Sequence, residues 1–404
     1  MSGGGRTIYV AGAGIAGLSL ALAKFGATVV VLERSRSIQE IGAGLQVSPN
    51  ARRVLNQLGL DRAIRAHSFE PAGIDVYPFR AERPLTTLAL GAGARERFGA
   101  PYAVMHRADL AEILFRACRR FANIDVLFGV RDFDAASHAR GTTVSVEEDG
   151  GKSREGRAFA LVGADGVHSV TRRLILHGPE AAYSGHVAWR ATLPLDALAG
   201  TVALDRTSVI MGPGYHAVCY PLPHRNRINL VLFAPEKSGS ALSEAPPRNP
   251  TLPWAALRSA RFDAIEAAGR DSWGSWPVFG VETPTWHGGG VGLIGDAAHA
   301  MLPYQAQGAA MAIEDAAILA PLLVTEPTAE SAFARFAAMR RPRIARVAKV
   351  SRRNGFAFHL EWPFTLARDA AIRLQGPRGH LKRLHWLYAF DAAPEVVRAP
   401  RARG

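Results

Sequence analysis

The sequence predicts an α/β protein in which a doubly wound parallel sheet is joined to a mostly antiparallel second sheet and a helical C-terminal region. Three observations carry this reading. A strand, glycine loop, helix and strand open the chain at Thr7–Glu33; two later apolar strands end at Asp165 and Asp296; and between about 178 and 279 the pattern changes to short alternating strands. Composition agrees with it. At 404 residues, 48% apolar and 21% charged, the chain has enough core for two or three domains, and disordered, collagen-like and coiled-coil classes are excluded.

The first unit runs from the apolar Thr7–Ala11 through Gly12-Ala13-Gly14-Ile15-Ala16-Gly17, a helical pattern to Phe25, a turn at Gly26, and a strand Thr28–Leu32 ending in Glu33. This is G-x-G-x-x-G in its βαβ context. Gly12 permits the tight turn, Gly14 lets backbone approach a pyrophosphate at the positive end of the helix, and Gly17 lets that helix pack closely on the sheet. Glu33 lies 21 positions after Gly12, where a carboxylate accepts hydrogen bonds from both ribose hydroxyls. The acid favours FAD or NAD over NADP as the tightly held nucleotide.

Two further segments place an aspartate at the C-terminal edge of a strand, where doubly wound sheets bind ligands. One is Ala160-Leu161-Val162-Gly163-Ala164-Asp165-Gly166, followed by Arg172 and Arg173; the other is Gly292-Leu293-Ile294-Gly295-Asp296-Ala297-Ala298-His299, running through Pro303 and a Gln307-Gly308 turn into a helical pattern, Ala309–Leu323. Seen alone, either aspartate is also a plausible helix cap. His299, among small apolar neighbours, reads as structural.

Together these motifs resemble the single-component FAD-dependent aromatic hydroxylases, the family of para-hydroxybenzoate hydroxylase, and most closely salicylate hydroxylase and 6-hydroxynicotinate 3-monooxygenase. Gly42–Asn50, His106–Leu110, Val187–Arg190, Ile313–Ala316 and Trp386–Tyr388 are similar to family segments in family order, so the resemblance covers essentially the whole chain. It implies a Rossmann-like FAD-binding domain in which Gly12, Gly14, Ala16, Gly17, Glu33, Arg34 and Val130 bind the cofactor, with Glu33 on the adenosine ribose and Arg107 near the pyrophosphate or ribityl region. It implies further that Gly295 belongs to the cofactor site and Asp296 binds the ribityl hydroxyls, that Gln307, Gly308 and Ala309 offer backbone N–H groups to the isoalloxazine, and that Asp165 and Gly166 touch both FAD and a transient NADH or NADPH. No second glycine fingerprint is present for that donor, as in the family. One departure is Ala306, which replaces a glycine usual in the family's turn.

The implied activity is hydroxylation of a small aromatic acid by a flavin hydroperoxide formed with O2. On a strand, His216, Val218 and Tyr220 share a face, with His216 and Tyr220 roughly 13 Å apart. The His-x-x-x-Tyr pair resembles the one that binds and deprotonates the ring hydroxyl in 6-hydroxynicotinate and 3-hydroxybenzoate hydroxylases. A base of near-neutral pKa suits that task. Gln46, Arg190 and Pro303 are the substrate-contact candidates, Arg190 for a carboxylate and Pro303 through its carbonyl. Cys219 points the other way, into the core. A flavin-dependent reductase or dehydrogenase on the same scaffold is the alternative.

The domains are expected to be discontinuous: FAD-binding in 1–70, 98–178 and 280–345, substrate-binding in 71–97 and 179–279, and helical in 346–404, with a Pro-rich surface loop at Glu244–Pro253. The charges are uneven. The net is +13, and from Arg335 onward 14 Arg and 2 Lys face four acids, so +12 of it lies in the last 70 residues. The expected form is an Arg-rich helix pair solvated on one face, with Phe336, Val347, Phe356, Phe358, Leu360 and Trp362 packing. No helix-turn-helix, zinc-knuckle or RNP-type signature accompanies it, so no nucleic-acid partner is expected. Cys118 and Cys219 lack metal or disulfide spacing, and Met1–Arg6 has no apolar leader. The apolar stretches around Thr28–Leu32 and Ala316–Val324 look too short to span a bilayer. The expectation is a cytoplasmic monomer or homodimer without stable membrane insertion.

Overall fold

The structure, a computed structural model, describes residues 5–23, 26–38, 44–78, 80–138, 141–236, 259–269 and 272–392. The loop expected at Glu244–Pro253, the helix end at Lys24–Phe25, Gly42–Ala43 and the tail from 393 lie outside the described residues.

The first sheet has six strands in the order His287–Gly288, Val291–Leu293, Ala160–Gly163, Thr7–Ala11, Thr28–Glu33, Ile124–Phe128. Every pairing is parallel except the edge pair formed by His287–Gly288. Val10, Val31 and Val162 are buried, as strands covered on both faces require. The helices Ile15–Leu22, Arg107–Cys118 and Gly308–Thr325 stack on one face. A three-stranded antiparallel sheet, Val130–His138, Gly141–Glu148 and Ser153–Ala158, covers the other through Val144, Val146 and Leu161.

The second sheet has seven strands in the order Gly274–Gly280, Ala182–Pro194, Arg227–Pro235, Tyr215–Leu222, Thr207–Gly212, Gly73–Tyr77, Thr86–Ala89. Only the pairing of Thr207–Gly212 with Gly73–Tyr77 is parallel. The period of two divides the residues between faces. Trp189, Tyr215, Ala217, Cys219 and Leu230 pack beneath the helix Ala260–Gly269, whereas Arg190, His216, Val218, Tyr220, Val231 and Phe233 face a cleft shared with the first sheet.

The C-terminal region is a 30-residue helix, Ala329–Phe358, and a second helix, Phe364–Tyr388, broken at Gly376. The first is opened by a capping box in which Thr328 and Ser331 satisfy each other's backbone N–H groups. It departs from a simply solvated Arg-rich helix. Arg340 is fully buried, donating to Glu314 and to Asp315 at 2.7 Å each, and Arg343 adds two bonds to Glu314. The helix Gly308–Thr325 is also longer than the sequence suggested: among the described residues it alone meets the length and hydropathy of a membrane span, yet most of it is buried within the fold. The carboxylates of Glu314 and Asp315, paired with arginine, are what this apolar helix carries into the core.

Candidate active site

The glycine loop lies at the C-terminal end of the first sheet. Gly12 has φ +101°, donates to the Leu32 carbonyl at 2.7 Å, and a Cβ there would stand 2.6 Å from the Ala164 oxygen. A Cβ on Gly17 would come within 2.0 Å of the Gly12 oxygen. Positions 12 and 17 are therefore closed to any larger residue. Gly14 caps the helix without a side chain, which leaves first-turn amides open to an anion.

Glu33 closes the mouth of this loop: its two oxygens accept from the N–H of Ala13 at 2.9 Å and of Ser35 at 2.8 Å. The carboxylate is thus held in place at the end of its strand, beside the glycine loop. Arg34 is exposed beside it, and Val130 is buried at the start of its strand.

Asp165 and Asp296 divide in role. Asp165 is spent within its own turn, accepting from the hydroxyls of Ser169 at 2.6 Å and Thr171 at 3.0 Å and from the Thr171 N–H at 2.9 Å, with Gly166 at φ +78° completing the bend. This is the capping alternative. Asp296 is exposed in the cleft and has no hydrogen bond among the described residues. The preceding Gly295, at φ +58°, donates to Asp315, which also holds His299 at 2.7 Å, so His299 is structural. Burial alone would raise the Asp315 pKa, but His299, Arg340 and the Gly295 N–H outweigh it and hold the group at about 2.

Gln307 turns inward, its amide bonded to Ser48 and Asn50 beneath the turn, and at 2% exposed it stands behind the cleft wall formed by Ala306, Gly308 and Ala309. Gly308 and Ala309 then open the long buried helix at the cleft wall. Pro303, also in the wall, accepts the Ala306 N–H at 3.0 Å with its carbonyl.

The cleft has a volume of about 1790 Å³, beyond the roughly 300–1000 Å³ of a single small-ligand pocket, so it has room for a cofactor ring and a second molecule. Its walls bring together Gln46, Arg107, Arg190, His216, Tyr220, Asp296 and Pro303. Tyr220 lies against Gly44, where a Cβ would be 2.7 Å from its hydroxyl, and burial pushes that hydroxyl's pKa up. Arg190 stacks over Trp276 at 5.3 Å, and burial lowers its pKa.

His216 differs from expectation. It is 2% exposed, stacked on Phe233 with centroids 4.7 Å apart, and its Nδ1 is 2.8 Å from Nε2 of His359. Burial first, then His359 and His186, drive its pKa well below the usual histidine value instead of holding it near neutrality.

Sequence reasoning missed His359, Tyr304 and a run of cations. His359 ends the 30-residue helix, 143 positions from its partner, and no motif links the two. Arg97, Arg346, Arg353, Arg368, Arg378, Lys382 and Arg383 join the expected Arg107 and Arg190 in lining the cleft, with Asp296 as its one carboxylate among the described residues.

The FAD binding domain family matches residues 6–352. The chain belongs to this family of FAD-dependent monooxygenases. It is 34% identical over 398 residues to 3-amino-4-hydroxybenzoate 2-monooxygenase of Streptomyces platensis, covering 96% of each chain. It is 32% identical over 392 residues to 3-hydroxybenzoate 6-hydroxylase 1 of Aquipseudomonas alcaligenes, covering 96% of this chain and 98% of the other. A salicylate hydroxylase substrate complex shares the fold, with a TM-score of 0.76 and 22% identity over 98% of this chain and 99% of that one. As a member of the family, this monooxygenase binds FAD, acts on an aromatic compound, and uses NAD(P)H and O2. The site fits FAD on its own terms: a tight glycine loop whose helix opens with uncapped amides at Gly14, an uncommitted carboxylate at Asp296, and the open helix end at Gly308.

Proposed function

We propose that this monooxygenase hydroxylates a small aromatic acid bearing a ring hydroxyl, of the hydroxybenzoate, salicylate or hydroxynicotinate type. One observation carries the reading: Nε of Arg190 is buried without a hydrogen-bond partner among the described residues, on the sheet face that bears His216 and Tyr220. A buried N–H left without an acceptor costs about 1–3 kcal/mol, which an incoming carboxylate recovers. Register supports it. Arg190 pairs with Val231, which pairs with Val218, midway between His216 and Tyr220. At about 4.8 Å between strands and 3.3 Å per residue, the three Cα atoms form a triangle of roughly 12 Å edges. Side chains reaching inward from those corners leave room for one substituted ring.

FAD, when bound, would take electrons from NAD(P)H and activate O2, from which the inserted oxygen atom comes. The chain supplies the rest. Arg190 anchors the carboxylate; Tyr220, kept protonated by burial, donates to the ring substituents; neutral His216 accepts the hydroxyl proton and so makes the ring a better nucleophile. Gln46 and Pro303 border the ring, and Phe233, Tyr304 and Phe358 exclude water around His216. On the cofactor, Gly12, Gly14, Ala16, Gly17, Glu33, Arg34 and Val130 take the adenosine and pyrophosphate half, and Arg107, Gly295 and Asp296 the ribityl chain. Gln307, Gly308 and Ala309 take the ring through backbone N–H groups. Asp165 acts by fixing the turn that presents Gly166.

The test is O2 uptake and NAD(P)H oxidation by the purified holoenzyme against salicylate, 3- and 4-hydroxybenzoate and 6-hydroxynicotinate, with products read by mass spectrometry. One acid is expected to emerge one oxygen heavier, and Arg190→Met to raise its KM at least tenfold. NAD(P)H oxidation with no oxygen incorporated from any acid would refute the proposal and favour the reductase alternative.

A further inference from the structure

We propose that His359 is the second member of a histidine relay that carries the ring-hydroxyl proton from His216 out of the cleft. The inference rests on the reading of His216 as the group that accepts that proton.

The two imidazoles meet edge to edge, Nδ1 of His216 to Nε2 of His359 at 2.8 Å, and one proton lies between them. Their surroundings differ. His216 is in the cleft wall and almost wholly buried, caged by Phe233, Tyr304 and Phe358; His359 is not in that wall, is half-buried, and caps the C-terminal end of the helix Ala329–Phe358. The pair therefore leads from a buried ring in the cleft wall to a more exposed ring at the end of that helix.

If His216 carries the shared proton on Nδ1, its Nε2 is bare and accepts from the substrate hydroxyl. The shared proton then passes to Nε2 of His359. The substrate has lost one proton, His216 has only exchanged one tautomer for the other, and the charge appears on the half-buried ring, which releases a proton to water. Without His359, the positive charge would stay on a ring enclosed by aromatic side chains. That is the costlier place for it.

The groups around His359 are few. His186, from the strand Ala182–Pro194, stacks on it at 5.4 Å and 23° while its own Nδ1–H donates to the Ser184 carbonyl. The ring of Tyr304 stands perpendicular at 5.4 Å. Glu361 approaches Gly214, whose N–H donates to the His359 carbonyl, and Arg368 donates to the carbonyls of Ala357 and Phe358. A neighbouring imidazole with no paired acid among the described residues disfavours lasting charge on His359, as a group that must pass a proton on requires; its pKa is held at about 4, by burial and then by His186.

Two measurements on the holoenzyme test the relay. Nitrogen-15 NMR of the histidine rings is expected to show His216 protonated on Nδ1 and bare on Nε2, and the reverse tautomer would overturn the relay whatever the substrate. In His359→Gln the glutamine oxygen still accepts from His216 but takes no proton. With the best-used hydroxybenzoate, kcat is expected to fall about 100-fold with KM within twofold, and added imidazole to restore it in part. An unchanged kcat and pH profile would overturn the relay. If no aromatic acid is hydroxylated by the unmodified enzyme, the substrate proposal falls, and the NMR tautomer alone decides this one.

Discussion

Ala306 has φ +51°, in the left-handed region that glycine enters freely and alanine does not. It stands in the turn between Pro303 and Gly308, the wall from which the long buried helix starts. An alanine there costs about 1–2 kcal/mol in backbone strain, whereas a glycine costs about 0.5–1 kcal/mol through the freedom it gives the unfolded chain. The strain is the larger of the two. Ala306→Gly is therefore expected to stabilise the holoenzyme by about 0.5 kcal/mol, read as a small rise in the urea midpoint at constant slope. A lower midpoint would show that the methyl group's contacts in the wall outweigh the strain. The motif comparison marks this position as a departure, but only the dihedral angle gives it a sign.

At the level of elements, the helix Gly308–Thr325 is tied to the helix Ala329–Phe358 by a buried network: Glu314 and Asp315 from the first, Arg340 and Arg343 from the second, with Asn50 and His299 at its edges. Through the Gly295 N–H it also fixes the loop that presents Asp296. Asp315→Asn leaves Arg340 with an incomplete set of acceptors in a dry interior, so a loss of about 3–5 kcal/mol is expected in denaturant melts. The pH dependence has a definite sign. Asp315 titrates near 2 when folded and near 3.9 when unfolded, so its stabilisation is complete above about pH 4 and is lost as pH falls toward 2. The variant should show a shallower loss of stability over that window; an equal slope would locate the acid sensitivity elsewhere. Much of the element order was legible from the sequence, since the βαβ unit, the strands ending near Asp165 and Asp296 and the alternating strands each follow from local period and glycine placement. This network was not. Ile313-Glu314-Asp315-Ala316 is a local pattern, but its arginines come from another helix, and hydropathy alone turns an apolar helix carrying two paired acids into a candidate membrane span.

For the whole molecule, the uneven charge finds its place in the cleft. The sequence located +12 in the last 70 residues but not where those residues point; the fold lays Arg346, Arg353, Arg378, Lys382 and Arg383, from the C-terminal helices, along the same cleft that Arg190 and His216 line from the sheet. The same distinction divides the site. Gly12, Gly17, Asp296 and the His216/Tyr220 face were readable because each depends on neighbours in sequence, whereas His359 and the cationic wall depend on where a 30-residue helix ends. Arg353, Lys382 and Arg383 are exposed and have no acidic partner among the described residues, so they contribute field and not structure. On the substrate reading proposed above, such a field would draw an aromatic carboxylate toward Arg190 and speed its arrival, by about 10-fold or more at low salt, while screening at about 8–10 Å would remove the effect as ionic strength rises. Reversing all three, as Arg353→Glu, Lys382→Glu and Arg383→Glu, is expected to slow binding of 3-hydroxybenzoate about tenfold at 10 mM ionic strength. The variant and the unmodified enzyme should converge near 0.5 M salt, with kcat unchanged. Stopped-flow flavin fluorescence measures the binding rate directly; equal rates at low salt would mean that the acid reaches Arg190 without passing this wall.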